Sequence, residues 1–420
     1  MRNRFPVVLF ALLMTSPTLF AQGAAPQAAD LAAIRAQIDS LRADYDKKIQ
    51  DLQKQLDDFQ ARQANLTPAP PAAETPSPAA ASSITGSSVS AGKGFNPDIS
   101  VIGDFIGTTG SNQVNPSPVF EMHESEVAFQ AAVDPYARGD FFMSFGEEGV
   151  ELEEGYITFP TLPGGLLAKV GKIRGAFGKV NTMHNHVMPW PDRPLVTTNL
   201  VGGEDGINDA GFSVARLIPN KYVFLEATGQ AFRGNSGENL YHSSQSSDLT
   251  YLGHLRGYHD ITENTNLDLG FSYSHGHNAT GVVNDVDLGR FTTQLYGGDA
   301  TIRWKPLKRS VYHSFVGRSE FVWSKRDQPD GRQDAKGYFV SADYQLARRW
   351  YMGGRYDRSG RAGAGTLVDK GQSLLLSFFP SEFSQIRAQY RRTDYADGPT
   401  ANEFLFQFQF AIGAHGAHPF

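Results

Sequence analysis

The chain has 420 residues, 40% of them hydrophobic, and 44 acidic against 38 basic side chains give a formal net charge of −6. That balance argues against nucleic-acid binding, and the scarcity of long apolar stretches excludes a bundle of membrane-spanning helices. Cysteine is absent, so a large secreted chain would be held together by something other than disulfides.

Residues 1–21 read as a signal peptide. Arg2 and Arg4 form a basic start, Pro6 to Met14 an apolar stretch, and Leu19-Phe20-Ala21 ends in a small residue suited to cleavage. The stretch is too short to stay in a bilayer as a span, and without a cysteine after it lipid attachment is excluded. Its removal takes away only Arg2 and Arg4, so the charge falls from −6 to −8.

Over residues 28–63, Leu31, Ile34, Ile38, Leu41, Tyr45, Ile49, Leu52, Leu56 and Phe59 recur at steps of three and four, among charges such as Arg35, Asp39, Lys47 and Asp51. So narrow a stripe on a charged helix cannot bury itself alone, which predicts a coiled coil. The steps of four at Leu41, Tyr45 and Ile49 break the heptad as a stutter does. A lone amphipathic helix is the competing expectation. Residues 64–97, rich in Pro, Ala and Ser, are expected to be an extended linker.

From Asp98 to Phe420 the period becomes two. Leu267, Leu269, Phe271 and Tyr273 alternate with Asp268, Gly270, Ser272 and Ser274; Tyr338, Val340, Ala342 and Tyr344 alternate with Ser341 and Asp343; Phe404, Phe406, Phe408 and Phe410 alternate with Gln407 and Gln409. A soluble sandwich alternates in the same way, so the connections have to decide. About sixteen strands can be read, with short turns at Asp134-Pro135, Leu162 to Gly165, Pro219-Asn220, Thr262 to Asn266, Pro306 to Ser310, Arg348-Arg349 and Pro380-Ser381. Between these fall long connections at Thr108–Pro118, Arg174–Asp209, Arg233–Asp248, His277–Arg290, Lys325–Lys336 and Gly360–Lys370, with short ones at Gly146–Gly149 and Ala396–Ala401. Turns at one end and long loops at the other predict an all-β, antiparallel transmembrane barrel over residues 98–420. Tyr222, Trp304, Trp323, Tyr338, Trp350 and Phe379 near strand ends suit the interface girdles of such a barrel.

No G-x-S-x-G, H-E-x-x-H or P-loop pattern is present, and about sixteen strands leave an aqueous channel, so neither an enzyme nor a cofactor is expected. Glu124 and Glu126 read as acidic residues facing a wet lumen. The pairs His184/His186, His275/His277 and His415/His418 could hold Zn²⁺ or Cu²⁺, but no third ligand is evident in the sequence, and solvated loop histidines are the favoured reading. Strand parity makes Arg256, Asp299, Arg303, Arg318, Glu320, Asp343, Arg355, Asp357, Arg387 and Arg391 the expected lumen-facing charges.

Two segments carry a resemblance. The last strand and terminal Phe420 are similar to the assembly signal of outer-membrane barrels, although Gly413-Ala-His-Gly-Ala-His-Pro419 departs from a clean strand. The run Leu166-Leu-Ala-Lys-Val-Gly-Lys-Ile-Arg-Gly-Ala-Phe-Gly178, after Tyr156-Ile-Thr-Phe159, resembles a strand and following loop of the phosphate-selective porin O and P superfamily. The N-terminal coiled coil is similar in architecture to the extension of sugar-specific trimeric porins. These likenesses imply a homotrimer in the outer membrane of a Gram-negative bacterium, inserted among lipid by the barrel-assembly machinery, with its coiled coil in the periplasm. They imply passive diffusion of small hydrophilic solutes or ions. A substrate-specific uptake channel for phosphate or metal, and a structural tether acting through the coiled coil, are the competing expectations. The porin likeness also implies that the third external loop, Arg174–Asp209, folds into the lumen. Arg174, Lys179, His184, His186, Asp192 and Arg193 would then meet the solute path, unless Asp192 and Arg193 only pair with each other or with the wall. Val187-Met188-Pro189-Trp190-Pro191 and Pro194-Leu195-Val196 agree, being too apolar for a free surface loop.

Overall fold

The computed structural model describes residues 97–413 apart from 147–148, 238–239, 279, 281, 284–285 and 288–289, together with Lys47, Gln50 and Lys54. The chain divides into two compact units, Met1–Ala81 and Ser82–Phe420. In the first, Lys47, Gln50 and Lys54 are helical and exposed. The expected signal peptide 1–21, the rest of the expected coiled coil 28–63, the linker but for its last residue, and Phe420 lie outside the described residues.

Among the described residues, sixteen strands close into one antiparallel barrel. They are β1 (Asp98–Ser111), β2 (Phe120–Asp134), β3 (Ala137–Gly146), β4 (Gly149–Leu162), β5 (Leu166–Arg174), β6 (Asn208–Leu217), β7 (Phe224–Phe232), β8 (Thr250–Thr262), β9 (Thr265–His277), β12 (Thr292–Trp304), β13 (Phe315–Gln328), β14 (Gly331–Ala347), β15 (Trp350–Arg361), β16 (Ala364–Ser381), β17 (Ser384–Asp394) and β18 (Ala401–Gly413). The short strands β10 (Val282–Val283) and β11 (Val286–Asp287) form a ribbon in the connection after β9. Each barrel strand pairs with its neighbours in sequence, and β1 closes on β18 from Ser100 opposite Gly413 to Ser111 opposite Asn402. Closure leaves no strand edge unpaired.

The alternation in the sequence becomes an outer apolar face and an inner polar one. On β18, Phe404, Phe406 and Phe408 are exposed while Glu403, Gln407 and Gln409 are buried. The outside carries Phe271, Phe212, Val340 and Leu374, each more than half exposed. A belt of this size has no place in water, and a barrel wearing it is built for lipid. Trp350 packs on Phe378 at 4.6 Å and Tyr351 on Phe379 at 5.3 Å at the short-turn end.

Two expectations about connections are corrected. Residues 325–336 and 360–370 are not long loops. β13 and β14 stay paired to Gln328 opposite Gly331, and β15 and β16 rejoin at Arg361 opposite Ala364. Both stretches lack an apolar face, which made them look like loops, but a backbone ladder needs only N–H and C=O partners beyond the lipid band. The connections of eight residues or more are 112–119, 175–207, 233–249 and 278–291 at one end and 305–314 at the other, where the expected short turn Pro306 to Ser310 is longer; 175–207 is the longest. The inner face also departs from a uniformly polar one: Phe232, Leu252, Leu295, Val322, Phe339 and Leu375 are buried there, in one cluster with Phe177, Met188, Trp190, Val196 and Leu200 of the 175–207 loop. The apolar core therefore sits inside the barrel.

Candidate functional site

The chain turns inward where β5 ends. Gly178 has φ +59, and a Cβ there would come within 3.1 Å of both carboxylate oxygens of Glu320, so glycine fits both the left-handed backbone and the space. Backbone donors buried inside a barrel need partners, and the wall supplies them. Ala176 N–H donates to Gln230 Oε1 at 2.6 Å, Gly178 N–H to Ser272 Oγ at 2.9 Å, and those of Lys179 and Val180 to Glu320 Oε1 at 2.5 and 2.7 Å. The loop then makes two 3₁₀ turns, Val180–Thr182 and Asn185–Val187, and helix α1 (Leu195–Leu200). Pro194 caps α1, its carbonyl accepting from the N–H of Thr197 and Thr198.

At its far reach the loop meets the opposite wall. Arg355 and Arg391 donate to Asp192 Oδ2 at 2.7 and 3.0 Å, and Gln389 donates to Oδ1 at 2.7 Å. Leu195 N–H donates to Asp357 at 3.2 Å and Asn199 to Asp369 at 3.0 Å. Trp190 lies edge-on to Phe339 at 5.2 Å, with the Arg355 guanidinium 4.9 Å over its ring. Val196, fully buried, sits over Gly337. These contacts reach from β7 and β9 to β17, so the loop crosses the lumen. The run Leu166 to Gly178 thereby gains a local meaning: it ends a strand and turns the chain in, with Phe177 anchored in the apolar cluster.

The six loop-associated residues separate into wall contacts and internal braces. Lys179 Nζ donates to Asp268 Oδ2 at 2.6 Å. Arg174 donates to Glu153 at 2.8 Å and to the Asp205 carbonyl at 3.0 Å. Arg193 holds the loop's own oxygens: Val180 O at 3.3 Å, Met183 O at 3.0 Å and Asn185 Oδ1 at 2.9 Å. Asp192 therefore turns to the wall and Arg193 to the loop. Arg174 and Arg193 are buried, as are His184 and His186, and the contacts of Arg174 and Arg193 brace the loop. His184 Nδ1 lies 2.9 Å from Glu126 and 3.0 Å from Glu153, and its Nε2 lies 2.8 Å from Glu154. Burial opposes its charge, but these carboxylates outweigh burial and hold its pKa well above the usual imidazole value. Burial likewise opposes the charge of Asp192, yet Arg355 and Arg391 hold it well below the usual carboxylate range. His186 Nδ1 faces Glu126 at 3.4 Å and Glu124 at 3.9 Å.

No family model matches the chain. An uncharacterized protein from Aquifex aeolicus is 28% identical over 386 residues, 78% of this chain and 81% of that one. Three solved structures superpose on 76% of the chain. They are the anion-selective porin from Comamonas acidovorans (TM-score 0.53, 10% identity, 99% of that chain), OprB of Pseudomonas putida (0.51, 10%, 94%) and OmpT of Vibrio cholerae in its trimer form (0.50, 11%, 100%). The chain has the porin fold.

Within that fold the ten wall charges predicted from parity all lie on the inward face. Arg256 pairs with Asp268 at 2.8 Å, Arg318 with Asp343 at 2.5 Å, Arg355 with Asp357 at 2.7 Å and Arg391 with Glu403 at 2.7 Å. Arg303 lies 3.9 Å from Asp268, and Arg387 donates to Gln407 at 2.8 Å. Glu320 serves the loop backbone, and the Asp299 carboxylate lies against Gly270. Asp268, the shared partner of Lys179, Arg256 and Arg303, was not picked out from the sequence, nor were Glu153 and Glu154. The register shift between β3 and β4 pairs Phe142 with Glu154 and Met143 with Leu152, so Glu153 is an extra residue in the ladder. A bulge of this kind lets two successive side chains point inward, which strict alternation forbids. His275 and His277 lie on the strand face opposite to Ser274 and Gly276, and His415 and His418 fall outside the described residues.

Proposed function

We propose that the chain is an outer-membrane porin through which small hydrophilic solutes or ions diffuse passively, at a width set by residues 175–207. The observation that carries this is the loop's span across the lumen, pinned at Asp192 to Arg355 and Arg391. The mechanism is geometric and electrostatic, with no covalent step. A loop charge at a narrow point acts through a lower dielectric than one at a wide mouth, so it biases ion passage more. Lys179, His184, His186 and Asp192 stand at that point, and Arg174 and Arg193 hold them there.

The reading extends to ion preference. Side chains of Lys179, Arg256, Arg303 and Arg318 keep 20–39% of their surface open, whereas Asp268, which three of them share, keeps 1%. This stretch of wall shows cations to the lumen, which favours anions. A solved structure of this fold bears the name of an anion-selective porin.

The assembly belongs to the same proposal. The apolar stripe of residues 28–63 needs partners, and OmpT with this fold is described in a trimer form. The chain is read as a homotrimer in the outer membrane, its coiled coil in the periplasm and Phe420 serving assembly.

Planar-bilayer recording of purified protein tests the function. Stepwise openings are expected, and deletion of residues 183–196 should enlarge them. Silence from folded protein would favour a tether, and unchanged conductance after the deletion would remove the constriction role.

A further inference from the structure

The two histidines of the loop face one acidic pocket on the wall but differ in geometry. Both nitrogens of His184 sit at hydrogen-bond distance from carboxylates, 2.8 to 3.0 Å from Glu126, Glu153 and Glu154. That is how an imidazolium is held. His186 is different: its Nδ1 lies 3.4 Å from Glu126 Oε2 and 3.9 Å from Glu124 Oε1. A tetrahedral zinc site with bonds of about 2.0–2.1 Å has ligand-to-ligand edges of roughly 3.3 Å. The spacing around His186 is thus that of atoms sharing a cation. One ligand atom each from Glu124, Glu126 and His186 lies within 4.8 Å of the others.

A second observation points the same way. Glu124 is 5% exposed and neither carboxylate oxygen accepts a hydrogen bond. Buried carboxylates are expensive unless paired or bound to metal. Arg174 and His184 compensate Glu153 and Glu154. Glu126, 2% exposed, is shared with His184, and the imidazole of His186 lies 3.9 Å from Glu124. The side of the pocket around Glu124 thus offers one imidazole and two carboxylates.

We propose that Glu124, Glu126 and His186 bind one divalent transition-metal cation of the Zn²⁺ class. Imidazole with carboxylates suits that class, and three protein ligands leave a fourth position for water. Glu124 and Glu126 belong to strand β2 and His186 to the loop, so the cation joins loop to wall. Gln409 fixes the segment further by donating to the His186 carbonyl at 2.9 Å. The site does not depend on the channel reading, because it is detected by binding and not by conductance.

The experiment uses full-length folded protein in detergent, stripped with chelator and dialysed against Zn²⁺ alone. One tightly held Zn²⁺ per chain is expected. His186→Gln and Glu124→Gln should each weaken binding at least about tenfold, and His275→Gln should leave it unchanged. Wild-type affinity in both pocket variants overturns the proposal, as does a wild type that retains no Zn²⁺. Should a variant fail to show the heat-dependent gel shift of a folded barrel, the zinc absorption-edge spectrum of the wild-type complex decides: one imidazole with carboxylate oxygens supports the site, and no imidazole refutes it.

Discussion

Single residues hold the loop by opposite charges placed where water is scarce. Asp192 is the anion between Arg355 and Arg391, and the Arg355 side chain is 1% exposed. Removing one member of a buried pair strands the other's charge, which costs about 3–5 kcal/mol in comparable cases. Asp192→Asn should therefore loosen the loop, seen as faster protease cleavage within 175–207 while the barrel still shows its heat-dependent gel shift. Cleavage at the wild-type rate would mean that the pair contributes nothing. His184 gives a second, pH-dependent prediction. Its folded pKa lies above the unfolded value of about 6.5. Its contribution is therefore complete below that unfolded value and disappears as pH rises through the folded one. His184 therefore stays charged at neutrality, and the anchor weakens in alkaline solution. Loop cleavage should rise with alkaline pH in the wild type and be high and flat in His184→Gln. Parallel profiles would exclude this role.

The strands were legible because one rule, alternation, acts on every turn of chain between Asp98 and Gly413, and lipid outside with polar groups inside enforces it. The loop was legible for a related reason: Val187 to Pro191 and Pro194 to Val196 are too apolar for water, and Met188, Trp190 and Val196 lie in a cluster with wall residues, while Val187 stays exposed. What they would touch was hidden. Parity puts Phe232, Leu295, Val322, Phe339 and Leu375 on the inward face, but nothing in one strand says that its inner face is dry there. The extra residue at Glu153 defeated parity outright, and with it two of the three carboxylates around His184. Lys325–Lys336 and Gly360–Lys370 misled because strand length above the lipid is not written in hydrophobicity. The seat of helix α1 can be tested at Gly337, where a Cβ would lie 2.8 Å from Val196 Cγ2 and 2.6 Å from Ser359 Oγ. Overpacking of this kind typically costs about 1–3 kcal/mol. Gly337→Val should displace α1 and raise loop cleavage, whereas Gly253→Ala, where a Cβ meets nothing within 4 Å, should be silent. Equal behaviour of the two would mean that α1 does not bear on this wall.

At the scale of the molecule, the barrel wall is uneven. β5, β6 and β7 have 9–10 residues and β13 to β16 have 12–18. Nine residues at about 3.3 Å each, tilted by about 35–45°, rise roughly 21–24 Å, so the low wall falls slightly short of the roughly 25 Å apolar band. The longer strands carry Arg318 and Arg355 on their inner face, and the charge seen by a solute is what remains after pairing. Asp268 answers Arg256 at 2.8 Å and Lys179 at 2.6 Å, which leaves Arg303, 39% exposed and 3.9 Å from that carboxylate, the least compensated of this group. Arg318 is fully paired with Asp343, so its loss exposes an anion as well as removing a cation. Arg303→Gln should thus shift the reversal potential in a salt gradient toward cations, and Arg303→Gln with Arg318→Gln should shift it further than the sum of two neutralised charges at equal distance. Neither residue touches the loop backbone, so single-channel conductance at high salt should change little. The Debye length is about 10 Å at 0.1 M salt and about 3 Å at 1 M, and a difference that comes from these charges must shrink between the two. A double variant with wild-type reversal potential at 0.1 M salt would place the ion path away from this wall and would remove the basis for an anion preference.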